Sequence, residues 1–346
     1  MSMKAETNEQ ARPHAIQIRN LRIDPPLLLA PMAGLSHSAL RRIMVGFGGV
    51  GLLSTEMLSA RRLPTENPRI SPYLIRTEGE GPLSYQLLTS TGNEIGRAID
   101  KLHACEADAV DLNMGCPSPA VGRFGAGSML MEQPDVARRI VAEARRRTAL
   151  PLSAKIRLGS EADSEKLKKF CAMLEDEGAD MITVHARFTH EPFARNPRWA
   201  YIAEIKDCMH IPVIANGGIF SAEDAEKCLR VSGADGLMLG RGAVIKPWIF
   251  AEIAKTVFGS DITERAVFLP DVYAAFVEAL ISDYRPIYRL GRLKEFTHYF
   301  ARNYKFGHSL ATRVQSSGSM EEARERAGAF FANNGEESRP CVGIPG

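Results

Sequence analysis

Short apolar segments recur between residues 27 and 239, and this repetition restricts the fold more than any other feature of the chain. Most of them are continuously apolar, which is typical of parallel strands buried on both faces. Segments with helical periodicity separate them, so the sequence predicts alternating strands and helices. The eight apolar segments are 27–30, 49–53, 83–88, 107–112, 152–156, 181–185, 212–215 and 236–239.

The intervening helical segments carry clear start signals. Pro134 stands at the first position of an amphipathic run that ends at Arg147, and the segment from Ser221 to Asp224 resembles a capping box. Eight strand-and-helix units fit a closed (β/α)8 (TIM) barrel better than an open doubly wound sheet, although the count alone is compatible with both. The predicted fold class is α/β, with the barrel as the favoured form.

The pattern changes after residue 258, where strands no longer occur. The helical segments beyond this point are 270–284, 289–306 and 319–333. They predict a small all-helical domain over 265–333, after a barrel domain over 16–258. The polar residues 1–15 and the residues 334–346, which contain Gly and Pro, are expected to be disordered tails.

Composition excludes several classes of protein. The chain is 45% hydrophobic and 24% charged, as ordinary globular proteins are. Its uncharged runs are shorter than the roughly 18 residues that a membrane span needs, and its first residues are polar, so we expect a cytoplasmic protein with no membrane segment. The net charge of +2 gives no overall basicity, and the six cysteines lack CxxC spacing, so no metal site is expected.

Polar residues stand at or just after the carboxyl ends of the predicted strands, and in a barrel these residues would meet at one end. The loops after the last two strands, Gly217-Gly218 and Gly240-Arg241-Gly242, suit a phosphate group. FMN, pyridoxal phosphate and a sugar phosphate would all fit, and Lys155 could form a Schiff base. Gln86 offers a donor and an acceptor to a pyrimidine-like ring, and a cation would stabilise an anionic reduced ring, so a flavin is favoured.

Several motifs identify the chain as similar to a known family. They are APMAG (30–34), DLNMGCPSPAVGRFGAGSML (111–130), AKIRLG (154–159), VHAR (184–187), PVIANGGI (212–219) and GADGLMLGRGA (233–243). These stretches resemble the bacterial tRNA-dihydrouridine synthases, flavoenzymes that reduce uridine in RNA. The resemblance runs from about residue 16 to about residue 257, and the helical C-terminus would match the family's RNA-binding domain.

The resemblance implies roles for individual residues. Cys116 matches the cysteine that protonates C5 of uracil after hydride has reached C6; thiols with a pKa of about 8.5 can donate this proton without an activating base. Asn113, Arg157 and Arg187 are expected to face the substrate base. Met57 and Trp248 could be taken for ring-stacking residues, but plain packing is favoured for both. The FMN-binding positions would be Pro31, Met32, Ala33, Gln86, Lys155, His185, Asn216, Gly217, Gly218, Gly240 and Arg241.

The expected partners follow from the same resemblance. NADPH would re-reduce the flavin, the substrate would be tRNA or another structured RNA, and the protein is expected to be a monomer. A local basic stripe supports RNA binding, although a merely solvated face would look similar. The stripe contains the single acid Glu295 and the cations Arg285, Arg289, Arg292, Lys294, Arg302, Lys305 and Arg313.

Two other functions compete with this one. A flavin dehydrogenase of a free pyrimidine or another small metabolite would share the phosphate site, but the basic C-terminus argues against it. An RNA-binding protein with an inactive barrel would not need Cys116 and Lys155. The chain also departs from the family pattern at Ser36-His37, Leu40, Phe188, Asn196-Pro197-Arg198-Trp199 and Asn216-Gly217-Gly218.

Overall fold

A computed structural model describes residues 15–263 and 265–334 of the chain. A short antiparallel hairpin precedes an eight-stranded parallel sheet. The hairpin strands are β1 (Ile16–Ile18) and β2 (Leu21–Ile23). The sheet strands are β3 (Leu27–Leu29), β4 (Leu53–Ser59), β5 (Leu83–Leu88), β6 (Ala109–Met114), β7 (Leu152–Ile156), β8 (Met181–His185), β9 (Val213–Asn216) and β10 (Gly236–Leu239).

The sheet closes into a barrel. Its strands follow the order β3-β10-β9-β8-β7-β6-β5-β4, so the last strand lies beside the first. A parallel bridge between Leu28 and Leu52 joins the remaining edges, and the Leu29 N–H donates to the Leu52 carbonyl at 2.9 Å. The predicted (β/α)8 barrel is therefore confirmed, and the open doubly wound sheet is excluded.

Helices surround the barrel and begin where their start signals stand. They are α1 (Ser38–Phe47), α2 (Ile95–Ala104), α3 (Pro119–Gly122), α4 (Pro134–Arg147), α5 (Ser164–Asp176), α6 (Ala200–Lys206), α7 (Ala222–Ser232), α8 (Arg241–Ile245) and α9 (Ile249–Phe258). Pro134 opens α4, and the Ser221 hydroxyl caps α7 by accepting the Asp224 N–H at 3.2 Å. Across the described residues, no helix is both long and apolar enough to cross a membrane.

The second barrel strand corrects the sequence prediction. The segment 49–53 was expected to be the strand, but β4 begins at Leu53 and continues to Ser59. Gly49 has a φ of +79°, and a Cβ there would lie 2.5 Å from the Phe250 carbonyl oxygen, so this segment turns against α9 instead. The strand contains the polar residue Glu56. Because β4 contains polar residues, it does not stand out in the sequence as a continuous apolar run.

The C-terminal region is helical, as expected, with different bounds. It contains α10 (Leu269–Asp283), α11 (Pro286–Phe300), α12 (Gly307–Gln315) and α13 (Met320–Asn333). The segment 289–306 was expected to be one helix, but α11 starts at Pro286 and ends at Phe300, and α12 is additional. The buried side chains of these helices form one core with those of the barrel. Phe276 of α10 stacks on Phe296 of α11 with a centroid distance of 3.9 Å.

The barrel interior is apolar at one end and polar at the other. Ile16, Ile18 and Ile23 of the hairpin pack with Leu28, Ile214 and Met238 of the strands and close the N-terminal end. Farther along the strands, the inward positions carry polar side chains that include Gln86, Asp111, Lys155 and His185. The fold thus places these groups at the carboxyl ends of the strands.

Candidate active site

The carboxyl ends of the strands surround a cavity of about 290 Å³, which we call the cofactor cavity. Cys116, Asn113 and Arg157 also line it, so the structure brings most of the expected site residues together. Arg187 is different: it lies buried behind His185 and does not line the cavity. The eleven positions expected to bind FMN all line it: Pro31, Met32, Ala33, Gln86, Lys155, His185, Asn216, Gly217, Gly218, Gly240 and Arg241.

A chain of hydrogen bonds connects the barrel interior to the loop that carries Cys116. Asp111 accepts from the Ser153 hydroxyl and from Gln86 Nε2, both at 2.6 Å. Gln86 Oε1 then accepts from Asn113 Nδ2 at 2.7 Å. Asn113 Oδ1 accepts the backbone N–H of Cys116 at 3.0 Å. These hydrogen bonds fix the side-chain amides of Gln86 and Asn113 each in one orientation.

Burial perturbs two ionisable groups in this part of the barrel. Burial raises the pKa of Asp111 to about 6, opposed by its hydrogen bonds to Ser153 and Gln86 and by the charge of Lys155. Burial likewise lowers the pKa of Lys155 to about 8, opposed by the charge of Asp111. Lys155 Nζ donates to Asn216 Oδ1 at 2.9 Å. At neutral pH a protonated Lys155 therefore lines the cavity, and an ionised Asp111 lies in the barrel interior.

His185 is neutral in this environment. Burial, and then the charges of Lys155 and three arginines, hold its pKa far below the ordinary value. Arg187 Nη1 lies 3.1 Å from His185 Nε2, and because a guanidinium only donates, Nε2 must accept and Nδ1 must carry the proton. Arg187 also donates to the Arg195 and Phe193 carbonyls. Arg187 thus contacts His185 and the loop that carries Phe193 and Arg195, and the expectation that it faces the substrate stays a prediction.

The glycine loops after β9 and β10 leave room for a ligand. Gly217 and Gly218 have φ values of +111° and +77°, and neither amide donates a hydrogen bond to any other residue in the ranges 15–263 and 265–334. Trp199 Nε1 donates to the Gly217 carbonyl at 3.0 Å and holds this loop in place. Unpaired backbone N–H groups beside the Arg241 guanidinium suit an anion. The residues present therefore fit the phosphate of FMN.

Cys116 is the one cysteine, among those that the structure describes, that lines the cofactor cavity. Burial raises the pKa of the thiols of Cys105, Cys171 and Cys228, and Cys208 is exposed elsewhere. Cys341 lies outside the described residues. No group of three or more His, Cys, Asp or Glu side chains suited to a metal ion occurs within the described part of the chain.

Several lining residues were missed by the sequence analysis. Met57 was expected to pack in the core, but it lines the cavity. Phe193 lies over it, 5.8 Å from the His185 ring and under the Arg241 guanidinium at 4.5 Å. Glu295 and Tyr299 reach it from α11. Asp111 had a detectable signal: it stands two residues before Asn113, on the same face of β6.

Six of the seven cations of the basic stripe divide into two groups, and the seventh, Lys294, is half-buried. Arg285, Arg302, Lys305 and Arg313 are exposed, as RNA contacts would need to be. Arg289 instead donates to the Tyr284 carbonyl at 2.6 Å. Arg292 is turned inward, with Nη2 3.5 Å from Glu56 Oε2 and its guanidinium 4.7 Å from the Tyr284 ring. The stripe is therefore smaller than the sequence suggested.

Comparison with known proteins agrees with the geometry of the site. Residues 28–322 match the family model described as dihydrouridine synthase (Dus). A probable tRNA-dihydrouridine synthase 1 from Synechocystis sp. is 36% identical over 239 residues, which is 69% of this chain and 67% of that protein. A tRNA-dihydrouridine(16) synthase from Neisseria meningitidis serogroup A is 32% identical over 316 residues, which is 88% of this chain and 94% of that protein.

Solved structures share the fold at low sequence identity. Histamine dehydrogenase from Rhizobium sp. 4-9 superposes with a TM-score of 0.54 and 14% identity, over 77% of this chain and 50% of that one. A morphinone reductase mutant superposes with a TM-score of 0.50 and 13% identity, over 75% of this chain and 92% of that one. The chain thus spans half the length of the first structure and most of the second.

Proposed function

The chain belongs to the dihydrouridine synthase family, and from this premise we propose that it reduces the C5=C6 bond of a uridine in tRNA to 5,6-dihydrouridine. FMN is the proposed cofactor, and NADPH is the proposed reductant. One observation carries the proposal: a single cavity contains the Cys116 thiol together with Lys155, Asn216 and the open glycine loops. This set can hold a flavin and supply a proton beside it.

The residues that would hold FMN fall into two groups. Gly217, Gly218 and Arg241 would bind the phosphate through backbone N–H groups and a guanidinium. Lys155 and Gln86 would contact the ring system, and the lysine charge would favour its anionic reduced form. When bound, FMN would supply the hydride that adds to C6 of uracil.

The chain's own residues complete the reaction. Hydride addition at C6 leaves negative charge at C5, and the Cys116 thiol would donate its proton there. Asn113 would hold the Cys116 backbone in position, and Arg157 would fix the loop from the other side, since its Nε donates to the Gly115 carbonyl at 3.0 Å. Solvent would return the proton to Cys116 for the next cycle.

The proposed substrate is tRNA because that is the substrate named for the relatives. Those named tRNA-dihydrouridine(16) synthase align over most of their own length, so position 16 is the first uridine to examine. The exposed cations Arg302, Lys305 and Arg313 would contribute phosphate contacts.

The proposal is tested by incubating the full-length protein with NADPH and an unmodified tRNA transcript. We expect one uridine to gain two hydrogen atoms, detected by mass spectrometry of the digested RNA. Cys116→Ala should retain its flavin and its oxidation of NADPH, but reduce uridine about 10²- to 10⁴-fold more slowly. Cys105→Ala, a thiol outside the cavity, is the matched control. A wild-type protein that reduces free uracil rapidly and leaves tRNA unchanged would contradict the proposal.

A further inference from the structure

A second and larger chamber, of about 720 Å³, opens beside the cofactor cavity. We call it the side chamber. Its walls come from the segment between β4 and β5, which carries Arg62, Glu66 and Tyr73, and from α11, which carries Tyr288 and Glu295. Ala33, Met57 and Glu295 line both spaces, so the two are neighbours across a shared wall. A polymer with one residue in the cofactor cavity would have its next residues within reach of the side chamber.

An ion pair closes the inner end of the side chamber. Glu56 is buried and accepts the Gly34 N–H at 2.5 Å, and its second oxygen lies 3.5 Å from Arg292 Nη2. The Arg292 guanidinium in turn lies 4.7 Å from the Tyr284 ring and donates to the Tyr288 carbonyl. The ion pair is long, and neither Glu56 Oε2 nor Arg292 Nε has a hydrogen-bond partner among the described residues. The pair joins α11 to the loop carrying Ala33.

The outer part of the side chamber offers uncommitted groups. Tyr73 is 45% exposed and Ile287 is 79% exposed, so flat aromatic and apolar surface faces the space. Between residues 15 and 263 and between 265 and 334, no hydrogen bond or ion pair involves the side chains of Arg62, Glu66 or Glu295. The rim therefore presents two acceptor carboxylates and one donor guanidinium to a ligand.

These groups select a ligand by its chemistry. Two carboxylates against one guanidinium disfavour an anion, so the chamber is unsuited to a second phosphate or to a phosphorylated reductant. A flat neutral ring can lie against tyrosine, as bases do in single-stranded RNA recognition. Guanine carries two N–H donors next to a carbonyl acceptor on one edge, and this matches two carboxylates and a guanidinium.

We propose that the side chamber binds an unreacted guanine base of the same RNA whose uridine enters the cofactor cavity. This proposal rests on the proposed function, because it takes RNA to be the substrate. The chamber would then contribute to the choice of uridine, since a uridine with a guanine at the right distance would bind more tightly. Affinity for RNA measures this without any turnover, so the two proposals can fail separately.

The test uses full-length protein and an RNA hairpin whose loop has one uridine with a guanosine on each side. Each guanosine is replaced in turn by inosine, adenosine or an abasic residue, and the dissociation constant is measured by fluorescence anisotropy. At one of the two positions, we expect the abasic RNA to bind roughly 5- to 100-fold more weakly to wild-type protein. RNA with inosine, which lacks the amino group of guanosine, should bind with an affinity between those of the guanosine RNA and the abasic RNA.

Protein variants locate the effect in the side chamber. In Tyr73→Ala the penalty for the abasic residue should nearly disappear, and in Glu66→Gln the difference between guanosine and inosine should shrink. Glu226→Gln, an exposed carboxylate on α7, is the matched control and should behave as wild type. The proposal is overturned if neither abasic RNA binds more weakly, or if the penalty is the same in Tyr73→Ala. It is also overturned if Tyr73→Ala changes only the KM for NADPH.

Discussion

Asn113 holds the backbone of Cys116 in place, because its Oδ1 accepts the Cys116 N–H at 3.0 Å. The same side chain donates to Gln86 Oε1 at 2.7 Å, and Gln86 is itself fixed by Asp111. The position of the thiol is thus set by a series of buried polar side chains that begins deep in the barrel. A change at any point in the series should affect the loop that carries Cys116.

The first prediction concerns Asn113→Ala. The substitution leaves Gln86 Oε1 and the Cys116 N–H without their partner, which costs about 1–3 kcal/mol for each buried group left unpaired. We expect the flavin to be retained and the reduction of uridine in tRNA to slow at least roughly 10-fold, as a misplaced proton donor would cause. Single-turnover rates measure this effect. The double variant Asn113→Ala/Cys116→Ala should be no slower than Cys116→Ala, and additive losses would show that Asn113 acts independently of the thiol.

The second prediction concerns pH. Asp111 has a pKa of about 6 and is ionised above pH 6, and Lys155 has a pKa of about 8 and is protonated below pH 8. The rate of uridine reduction should therefore follow a bell-shaped profile with limbs near these values. Lys155→Met should be slower and lack the alkaline limb, whereas Lys206→Met, on the barrel exterior, should keep both. An alkaline limb that survives in Lys155→Met would assign it to another group.

The third prediction concerns the effect of Lys155 on stability, which should increase with pH. In the folded protein the pKa of Lys155 is about 8, whereas its ordinary value is 10.5. Between pH 8 and pH 10.5 the unfolded chain therefore binds more protons than the folded protein does. Burial of the charge costs stability below pH 8, and the free energy of unfolding should recover as the pH rises through this window. Denaturant titrations of wild type and Lys155→Met across the window compare the two slopes. Equal slopes would show that Lys155 has an ordinary pKa.

The fourth prediction concerns the glycine loop after β9. A Cβ on Gly217 would lie 2.7 Å from His185 Cδ2 and 3.0 Å from Arg187 Nη1, at a φ of +111°. Gly217→Ala should therefore displace the loop and weaken flavin binding at least about 10-fold, measured by fluorescence titration of the released cofactor. Gly233→Ala is the control, since Gly233 has a φ of +61° but open space around it. It should lose only about 1–2 kcal/mol of stability and keep its flavin.

Some strands and site residues could be predicted from the sequence, and others could not. Strands such as β7 and β8 were visible because both of their faces are buried and apolar. β4 was misplaced because Glu56 and its polar neighbours break the apolar run, although the strand continues through them. Asp111 was overlooked for a related reason: its role comes from Gln86 on the neighbouring strand. Pairs that are distant in sequence are set by topology, which local patterns do not contain.

Arg292 is the clearest example of this limit. In the sequence it belongs to a basic stripe, and nothing nearby distinguishes it from Arg302. In the structure it faces Glu56, which is contributed by β4, and it packs between Tyr284 and Tyr288. Its charge is therefore used inside the protein. Removing Arg292 would alter the wall of the side chamber, so it is unsuitable for testing phosphate contacts.

The last prediction therefore concerns the exposed part of the stripe. Arg302→Gln/Arg313→Gln should weaken the binding of tRNA and reduce the salt dependence of its affinity, because each lost phosphate contact removes about 0.7–0.9 from the slope of log K against log salt. Flavin content and the oxidation of NADPH should not change, since neither arginine lines the cofactor cavity. Arg230→Gln, an exposed arginine on α7, is the matched control and should leave the slope as it is. If the slope is the same in the double variant and in the control, the exposed face of the C-terminal helices is only solvated, and the phosphate contacts must come from other cations of the chain.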